Sequence, residues 1–353
     1  MSAMKDIIDR VRRTRQITAA ELELLLKSED REVIEYLFAQ ARQTAQSVFG
    51  KHIYIRGLIE FTNVCKNDCY YCGIRKSNKH VQRYRLTKES ILECCEKGYA
   101  LGFRTFVLQG GEDAYFSDER MCDLICSIRE KYQDCAITIS IGEREKKSYA
   151  CLKEAGADRF LLRHETADEQ HYKKLHPKSQ TLSHRIQCLF DLKELGYQVG
   201  CGFMVGSPGQ SVETMWQDIQ LILKLQPQMV GIGPFIPQRD TPFSEEKAGT
   251  LEDTLRLLAI LRLVHPTVLL PATTALGTIH PEGRELGILA GANVVMPNLS
   301  PAESRKKYQL YDNKICMDAE AAEGLEELKK RIEKIGYEVV VDRGDAPNIN
   351  DRM

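Results

Sequence analysis

Short β-branched and apolar runs alternate with helical stretches along the chain from residue 52 onward. The runs have the length of buried strands, and each is followed by a segment long enough to form a helix. The predicted strands are Ile53–Phe61, Thr105–Gln109, Ala136–Ile141, Arg159–Arg163, Gln198–Met204, Met229–Pro234, Thr267–Pro271 and Asn293–Met296. The predicted helices between them are Thr87–Leu101, Asp118–Tyr132, Glu145–Glu154, Ser183–Leu195, Val212–Leu225, Leu251–Leu261 and Arg284–Ala290. Eight strand–helix units in about 245 residues predict an α/β fold, a complete (β/α)8 TIM-type barrel.

The barrel is predicted to occupy residues 51–305. A doubly wound parallel sheet is the alternative, but that fold usually carries a glycine-rich loop after its first strand, and this chain has none there. Residues 1–50 predict an N-terminal helical extension. Within it, Thr18 and Glu21 have the spacing of a capping box at the start of a helix.

The chain continues beyond the predicted barrel. Residues 306–353 predict a loop and a short C-terminal helix, Ala319–Ile335, which together close the barrel. The stretch Arg343–Met353 is polar and stands at the end of the chain, so we expect it to fray.

Composition and charge limit the classes of protein to consider. The chain has 353 residues, of which 43% are hydrophobic and 28% are charged, so it can bury a large core. The net charge of −1 argues against nucleic acid or an anionic membrane as a partner. The sequence shows no secretory signal and no apolar run of the ~18 residues that a membrane span requires, so we expect a cytoplasmic protein.

Twelve cysteines in a reducing compartment indicate core packing together with a metal or redox site. Cys65, Cys69 and Cys72 form a CxxxCxxC motif directly after the first predicted strand, where the loops of a barrel carry active sites. Three thiolates leave one position open, which on a [4Fe–4S] cluster is an iron free to bind a small molecule. The alternative is a non-enzymatic zinc protein with His80 as the fourth ligand, although zinc ribbons usually have two CxxC pairs.

The other cysteines are interpreted as small buried hydrophobic residues. They are Cys94, Cys95, Cys122, Cys126, Cys135, Cys151, Cys188, Cys201 and Cys316. Cys122 and Cys126 stand four residues apart on a predicted helix, a spacing that would suit a metal, but the sequence shows no partner for them.

The CxxxCxxC motif, with the aromatic Tyr71 before its last cysteine, resembles the signature of the radical S-adenosylmethionine (SAM) superfamily. From about residue 50 to residue 316, longer phrases resemble the [FeFe]-hydrogenase maturases of the HydE family. These phrases are IEFTNVCKNDCYYCGIRKSN, RYRLT, LQGGED, RHETA, GFMVGSPGQ, MVGIGPFIPQRDTP, PATTALGTI and ANVVMPN. Methylornithine synthase and biotin synthase are relatives of that family, and the phrases fit methylornithine synthase less well.

The resemblance implies an enzyme that holds one [4Fe–4S] cluster and SAM, and that cleaves SAM reductively to methionine and a 5′-deoxyadenosyl radical. For the HydE family it implies a small cysteine-bound iron substrate inside the barrel and a role in building the diiron subcluster of the hydrogenase H-cluster. The implied partners are an electron donor such as ferredoxin or flavodoxin and the maturases HydG and HydF. A radical mutase or synthase acting on a free amino acid, such as methylornithine synthase, is the alternative.

Residues at the carboxyl ends of the predicted strands are expected to hold SAM. The glycines of the segment 110–112 let the backbone approach a ligand closely, although the same letters suit a plain turn. Arg185 would pair with the SAM carboxylate through its planar guanidinium, and Glu165 would accept hydrogen bonds from the ribose or the amine. For several of these residues, core packing or a surface ion pair is the alternative. The expected SAM contacts are Tyr71, Gln109, Gly110, Gly111, Glu112, Ser140, Glu165, Arg185, Met204 and Tyr308.

The substrate is expected to bind inside the barrel. Thr273 and Thr274 follow the seventh predicted strand, and adjacent hydroxyls at that end of a barrel can bind a carboxylate or another small polar group. Arg56 on the first strand and Arg163 on the fourth would complete an anion clamp, which the family resemblance assigns to the amino-acid part of the substrate. A salt bridge in the barrel interior is the alternative for Arg56.

One loop departs from the family pattern. Some HydE proteins bind a second cluster near the C-terminus through a cysteine followed by a CxxC pair. The matching loop here reads KICMDAEAAEGLEEL and retains only Cys316, so we predict no second cluster.

Overall fold

Three helices precede the first strand in the computed structural model, which describes residues 2–315 and 322–347. They are α1 (Ser2–Thr14), α2 (Ala19–Lys27) and α3 (Arg31–Phe49). The Thr18 hydroxyl caps α2 by accepting from the Glu21 N–H, and the Glu21 carboxylate accepts from the Thr18 N–H at 3.0 Å. The predicted capping box is therefore confirmed.

Parallel strands form the centre of the fold. Their bounds are β1 (His52–Ile55), β2 (Gly57–Thr62), β3 (Thr105–Gly110), β4 (Ala136–Ser140), β5 (Arg159–Leu161), β6 (Gln198–Cys201), β7 (Met204–Val205), β8 (Met229–Val230), β9 (Gly233–Pro234), β10 (Val294–Val295) and β11 (Glu338–Val340). Strands β2, β3, β4, β5, β6 and β8 pair in that order, all in parallel. Every residue of β2 is buried, as expected of a parallel strand that is covered on both faces.

Helices follow most of these strands and cover the outside. Their bounds are α4 (Lys88–Ala100), α5 (Asp118–Lys131), α6 (Lys146–Glu154), α7 (Glu169–Leu175), α8 (Leu182–Glu194), α9 (Val212–Leu225), α10 (Leu251–Val264), α11 (Thr274–Ile279), α12 (Gly283–Leu289), α13 (Ala302–Arg305) and α14 (Leu325–Lys334). Five of them begin at a hydroxyl side chain that accepts a hydrogen bond from the third helical N–H. These caps are Thr87, Ser117, Thr181, Ser211 and Thr250.

Isolated parallel bridges continue the pairing from β8 until it returns to β2. The bridges join Met229 to Leu269, Pro271 to Val294, and Asn298 to Leu58. With the six paired strands they make a ring of eight β segments within the described part of the chain, in agreement with the predicted α/β barrel. The carboxyl ends of the strands all lie at one end of this ring, which we call the upper end.

Some elements differ from the prediction. The predicted strand Ile53–Phe61 is two strands, β1 and β2, interrupted at Arg56, whose N–H donates to the Val295 carbonyl at 3.0 Å. The helices α7 and α11 lie in loops where the sequence predicts none. Each has two turns or fewer, which is too short to show a helical period.

The C-terminal segment covers the lower end of the barrel, where β11 pairs in parallel with β1. Residues 343–347 do not fray as predicted, because a buried charge holds them, whereas residues 348–353 of the same prediction lie outside the described part of the chain. Arg159 has no exposed surface, and its guanidinium donates to the Arg343 carbonyl at 2.7 Å and pairs with Asp345 at 2.6 Å. An ionised side chain buried this deeply requires such partners.

The C-terminal helix begins later than predicted. A 3₁₀ turn at Ala322–Gly324 leads into α14, and residues 319–321 lie outside the described part of the chain. The division of the chain at residues 50 and 305 stays a prediction. Among the residues that the structure describes, no helix is long and apolar enough to cross a membrane.

Asp345→Asn is expected to lower the free energy of unfolding by about 2 kcal/mol, because the buried Arg159 then lacks a charged partner. The loss is smaller than the ~3–5 kcal/mol of a fully buried pair, since 40% of the Asp345 side chain is exposed. Urea unfolding at pH 7 measures it, with Glu338→Gln on β11 as the exposed control. If Asp345→Asn lost no more unfolding free energy than the control, the stabilising role of the Asp345–Arg159 pair would be contradicted.

The same pair predicts a pH dependence. Burial alone would raise the pKa of Asp345, but the charge of Arg159 and hydrogen bonds to the carboxylate lower it to about 2. The stabilisation is therefore complete above the unfolded pKa of about 4 and is lost as the pH falls through the folded value. The stability difference between the wild-type chain and Asp345→Asn should shrink across that interval.

Candidate active site

A cavity of about 360 Å³ opens at the upper end of the barrel. Its walls come from the carboxyl ends of the strands and from the loop after β2. Cys65, Cys69 and Cys72 all lie in that loop and line the same space, which we call the thiol cavity. The motif that the sequence singled out therefore faces a cavity of a size that binds small molecules.

The three cysteines are half-buried, in surroundings that disfavour ionisation of their thiols. Burial raises the pKa of Cys65, raises the pKa of Cys69 to about 12, and raises the pKa of Cys72 well above its ordinary value. Negative charge on either neighbouring thiol raises the pKa of Cys72 further, so the three sulfurs influence one another. They would become thiolates together only around a positively charged group.

The residues after β3 pass very close to the cysteine loop. A Cβ atom on Gly111 would lie 2.3 Å from the Val64 carbonyl oxygen and 2.8 Å from the Cβ of Cys65, so this position requires glycine. Across the same contact, the Lys66 N–H donates to the Glu112 carbonyl at 2.9 Å. This glycine segment therefore supports the cysteine loop as well as lining the thiol cavity.

Tyr71 forms part of the wall between two of the cysteines. Its hydroxyl lies 3.2 Å from Nε2 of His176, and the two rings meet edge to face. Burial lowers the pKa of His176 to about 3, so this imidazole is neutral. The Cys69 thiol lies 3.3 Å from Oε1 of Gln180. The loop after α7 thus also contacts the cysteine loop.

Charged side chains connect three strand ends beside the thiol cavity. The Glu112 carboxylate pairs with Lys66 at 3.1 Å and accepts the Glu143 N–H at 3.0 Å. The Nε atom of Arg185 lies 2.5 Å from Oε1 of Glu143, and its Nη1 donates to the Arg163 carbonyl at 3.1 Å. Arg185, the predicted partner of a ligand carboxylate, is therefore already paired with Glu143. Sequence reasoning missed Glu143, although its place after the third predicted strand was a usable signal.

Glu165 has a strained backbone at the edge of the cavity. Its φ of 66° is unusual for any residue other than glycine, and its N–H donates to the Gly202 carbonyl at 3.0 Å. Its Oε2 lies 3.1 Å from Nη2 of Arg163, whose buried Nε has no hydrogen-bond partner among the described residues. Backbone strain beside an unsatisfied donor is a frequent sign of a ligand contact.

Thr273 and Thr274 line the thiol cavity at the start of α11. Thr273 precedes the helix in the capping position, yet its side chain makes no capping hydrogen bond. Its Oγ1 is buried and has no hydrogen-bond partner in the ranges that the structure describes. The hydroxyl is therefore free to bind a polar group in the cavity.

Arg56 does not join the two threonines, contrary to the predicted clamp. It is absent from the lining of the thiol cavity, whereas Leu58, the next inward-facing residue of the same segment, is part of that lining. Its Nη1 lies 2.8 Å from the Met229 sulfur, and its buried Nε and Nη2 have no hydrogen-bond partner in the described chain. Burial, with the nearby charge of Arg159, lowers the pKa of Arg56. The side chain thus lies one layer deeper in the barrel.

A buried ion pair between Glu60 and Lys314 in the cavity wall was missed by sequence reasoning. Asn298 also donates to Glu60 at 2.8 Å, and Lys314 donates to the Tyr308 carbonyl at 3.0 Å. The pair therefore holds Tyr308, a predicted SAM contact, against the cavity. A glutamate inside an apolar strand was the signal available for Glu60, whereas Lys314 lies in a loop with no recognisable pattern.

The thiol cavity brings together most of the residues predicted to bind ligands. Besides the three cysteines, the predicted residues that line it are Tyr71, Gln109, Gly110, Gly111, Glu112, Ser140, Arg163, Glu165, Arg185, Met204, Thr273, Thr274 and Tyr308. His80, the suggested fourth zinc ligand, is exposed elsewhere and lies 2.7 Å from Asp240. Cys316 lies outside the described residues, so the absence of a second cluster stays a prediction.

The donors in this cavity fit a metal cluster and a polar small molecule together. Across the described ranges, no three His, Cys, Asp or Glu side chains are arranged around a single metal ion. Three thiols on the wall of one cavity suit a larger cluster with an open iron. The unpartnered Arg163 and Thr273 donors suit the carboxylate or hydroxyl groups of a ligand.

Several known proteins are similar to this chain in sequence and fold. Residues 59–222 match the family model of the radical SAM superfamily. The chain is 42% identical over 345 residues to the [FeFe] hydrogenase maturase subunit HydE of Thermotoga maritima, covering 98% of each chain. It is 30% identical over 325 residues to 3-methylornithine synthase of Methanosarcina acetivorans, covering 92% of this chain and 90% of the relative. The crystal structure of methylornithine synthase matches with a TM-score of 0.85 and 28% identity, and the match covers 95% of this chain and 97% of that structure's chain.

The chain therefore belongs to the radical SAM superfamily, whose members use a [4Fe–4S] cluster and SAM. Within that superfamily it is HydE-like, because its identity to HydE exceeds its identity to 3-methylornithine synthase. The predicted family resemblance is confirmed.

Gly111→Ala is expected to reduce the iron bound after anaerobic reconstitution several-fold, because the added methyl group would displace the cysteine loop. Gly231→Ala is the matched control, since the nearest heavy atom to its added Cβ lies 3.9 Å away. Iron and sulfide analysis, run beside circular dichroism, separates loss of the cluster from loss of the fold. Equal iron in the two variants would refute the importance of this contact.

Proposed function

We propose that the chain is a radical SAM maturase of the HydE type, acting on a small cysteine-containing iron complex during assembly of the diiron subcluster of [FeFe]-hydrogenase. The observation that carries the proposal is the thiol cavity, where three thiols and the unpartnered donors of Arg163 and Thr273 face one space. The 42% identity to HydE of Thermotoga maritima supports a common substrate class.

Cys65, Cys69 and Cys72 would hold a [4Fe–4S] cluster and leave one iron open for the amino-acid part of SAM. When bound and reduced, these groups supply a 5′-deoxyadenosyl radical. The protein would orient SAM and exclude water, since Tyr71 and Tyr308 line the cavity and would keep water from it.

Charge and hydrogen bonding would orient SAM. The Glu112 carboxylate would accept a hydrogen bond from the SAM amine, and Arg185, while paired with Glu143, would turn its remaining N–H groups toward the carboxylate. Glu165 would accept hydrogen bonds from the ribose hydroxyls, and its strained backbone would direct the side chain toward them. The remaining proposed SAM contacts are Tyr71, Gln109, Gly110, Gly111, Ser140, Met204 and Tyr308.

Thr273, Thr274 and Arg163 would hold the amino-acid carboxylate of the substrate. The Oγ1 of Thr273 and the Nε of Arg163 are buried donors without partners, and an anion between them would satisfy both. Arg56 lies deeper and has two more unpartnered donors, so it would bind an anionic group that extends toward the barrel floor.

We further propose that the protein works in the cytoplasm with a single cluster. A one-electron donor such as ferredoxin or flavodoxin would reduce that cluster. HydG would supply the iron–cysteine substrate, and HydF would receive the product. The single cysteine in the loop at residue 316 supports the proposal of one cluster.

A radical synthase of free amino acids is the second candidate. The 30% identity to 3-methylornithine synthase, together with the TM-score of 0.85 to the structure of that enzyme class, favours it. Reconstituted protein with SAM and dithionite should be offered lysine and, separately, the iron–cysteine complex. Conversion of lysine to methylornithine would overturn the maturase proposal, whereas conversion of the iron complex alone would support it.

Cys69→Ala is expected to abolish reductive cleavage of SAM while the barrel stays folded, because one ligand of the cluster is removed. Chromatography of 5′-deoxyadenosine after addition of dithionite gives the rate. Cys94→Ala, in the buried face of α4, is the matched control and should cleave SAM at the wild-type rate. Cleavage by Cys69→Ala at the control rate would show that the cluster is held elsewhere.

Thr273→Val is expected to raise the KM for the substrate about tenfold, equivalent to ~1.4 kcal/mol, because one hydrogen bond to a charged group is lost. Cleavage of SAM in the absence of substrate should not change. Thr278→Val is the control, since its hydroxyl donates to the Thr274 carbonyl within α11. An unchanged KM would remove Thr273 from the substrate site.

A further inference from the structure

Two cysteines that the sequence treats as separate packing residues meet on the outer layer of the barrel. Cys122 lies in α5 and Cys151 in α6, and their Sγ atoms are 2.8 Å apart. This separation is shorter than ordinary contact between non-bonded sulfurs, and it exceeds an S–S bond of about 2.05 Å by less than about 1 Å. Both side chains are half-buried, so small reagents can reach them from solvent.

A third cysteine lies nearby but outside the pair. Cys126 is exposed one helical turn beyond Cys122, and its Sγ lies 3.6 Å from the Ala155 carbonyl oxygen. The structure thus supplies Cys151 as the partner of Cys122 that the sequence did not reveal. The three cysteines are not arranged to hold a metal ion. No group of three or more His, Cys, Asp or Glu side chains in the described part of the chain is arranged in that way.

The two helices are fixed to each other on both sides of the pair. Near the start of α5, Asp118 accepts hydrogen bonds from Arg144 at 2.7 Å and from Ser148 at 2.5 Å. Near its end, Arg129 pairs with Asp158 at 2.5 Å. These contacts hold α5 against α6 and the segments that flank it, and they keep the two sulfurs close together.

We propose that Cys122 and Cys151 form a reversible intramolecular disulfide, a redox modification site separate from the cysteine loop of the thiol cavity. The oxidant is a small-molecule disulfide such as oxidised glutathione. Two S–H bonds break and one S–S bond forms, while two electrons and two protons pass to the oxidant, which leaves as two thiols. The proposal stands independently of the proposed enzymatic function.

The surroundings of the pair determine how readily the bond forms. Burial, together with the contact to Cys151, raises the pKa of Cys122 to about 12, so Cys122 is a thiol at neutral pH. Thiols react slowly in exchange, because the thiolate is the nucleophile. We therefore expect the bond to form under sustained oxidising conditions and to be absent in a reducing cytoplasm.

Peptide mapping tests the proposal directly. The cluster-loaded protein is equilibrated anaerobically in glutathione buffers of increasing oxidised fraction, alkylated, and digested with trypsin without reductant. Residues 121–129 form one peptide with Cys122 and Cys126, and residues 148–153 form another with Cys151. In oxidised buffers the two peptides should appear as one species, two hydrogens lighter than their sum. Dithiothreitol should separate them again.

Single variants assign the bond. Cys126→Ser should retain the linked species, whereas Cys122→Ser and Cys151→Ser should each lose it while keeping the wild-type circular dichroism. The bond closes a loop between residues 29 positions apart, so the oxidised wild-type protein should melt roughly 5 °C above oxidised Cys122→Ser. A bond between Cys122 and Cys126, no linked species in Cys126→Ser, or linkage only in urea-unfolded protein would each overturn the proposal.

Discussion

Parallel pairing around the barrel brings the carboxyl ends of its strands to one rim, and the thiol cavity depends on this constraint. The cysteine loop leaves β2, and the glycine segment leaves β3 beside it. The ring closes where Leu58 pairs with Asn298, which brings the chain after the last β segment back to β2. That return places Tyr308 and Lys314 over the same rim. Groups far apart in the sequence therefore surround one small space.

Buried charge holds the C-terminal segment at both ends of the barrel. At the upper end, Lys314 pairs with Glu60 of β2, and at the lower end Asp345 pairs with Arg159 of β5. A charge inside a protein is costly unless it has a partner. Glu60 and Arg159 therefore both require the C-terminal segment, which supplies their partners. The C-terminal segment is for this reason an integral part of the barrel.

The cavity also retains donors that the protein itself does not satisfy. Arg163 and Thr273 in the thiol cavity each present a buried donor atom without a hydrogen-bond partner among the described residues, and Arg56 does so in the layer below the cavity. A buried donor that stays unpaired costs stability, and this cost is the basis of our proposal that a polar ligand binds to Arg163 and Thr273. The strained backbone of Glu165 lies in the same region.

Sequence alone determined the alternation of strands and helices and the cysteine motif, because these follow from local period and spacing. Most residues of the cavity were predicted from their position at a strand end together with the family resemblance. Tertiary structure alone decided which charged and sulfur-containing groups meet. Arg185 pairs with Glu143 and Cys122 meets Cys151 across two different helix–strand units. The sequence also did not determine which layer of the barrel Arg56 occupies. The pattern of a strand shows which residues face inward, but it does not show how deep in the barrel each of them lies. Local patterns specify which face of an element is buried. Contacts between elements depend instead on the order and stagger of the strands in the closed ring.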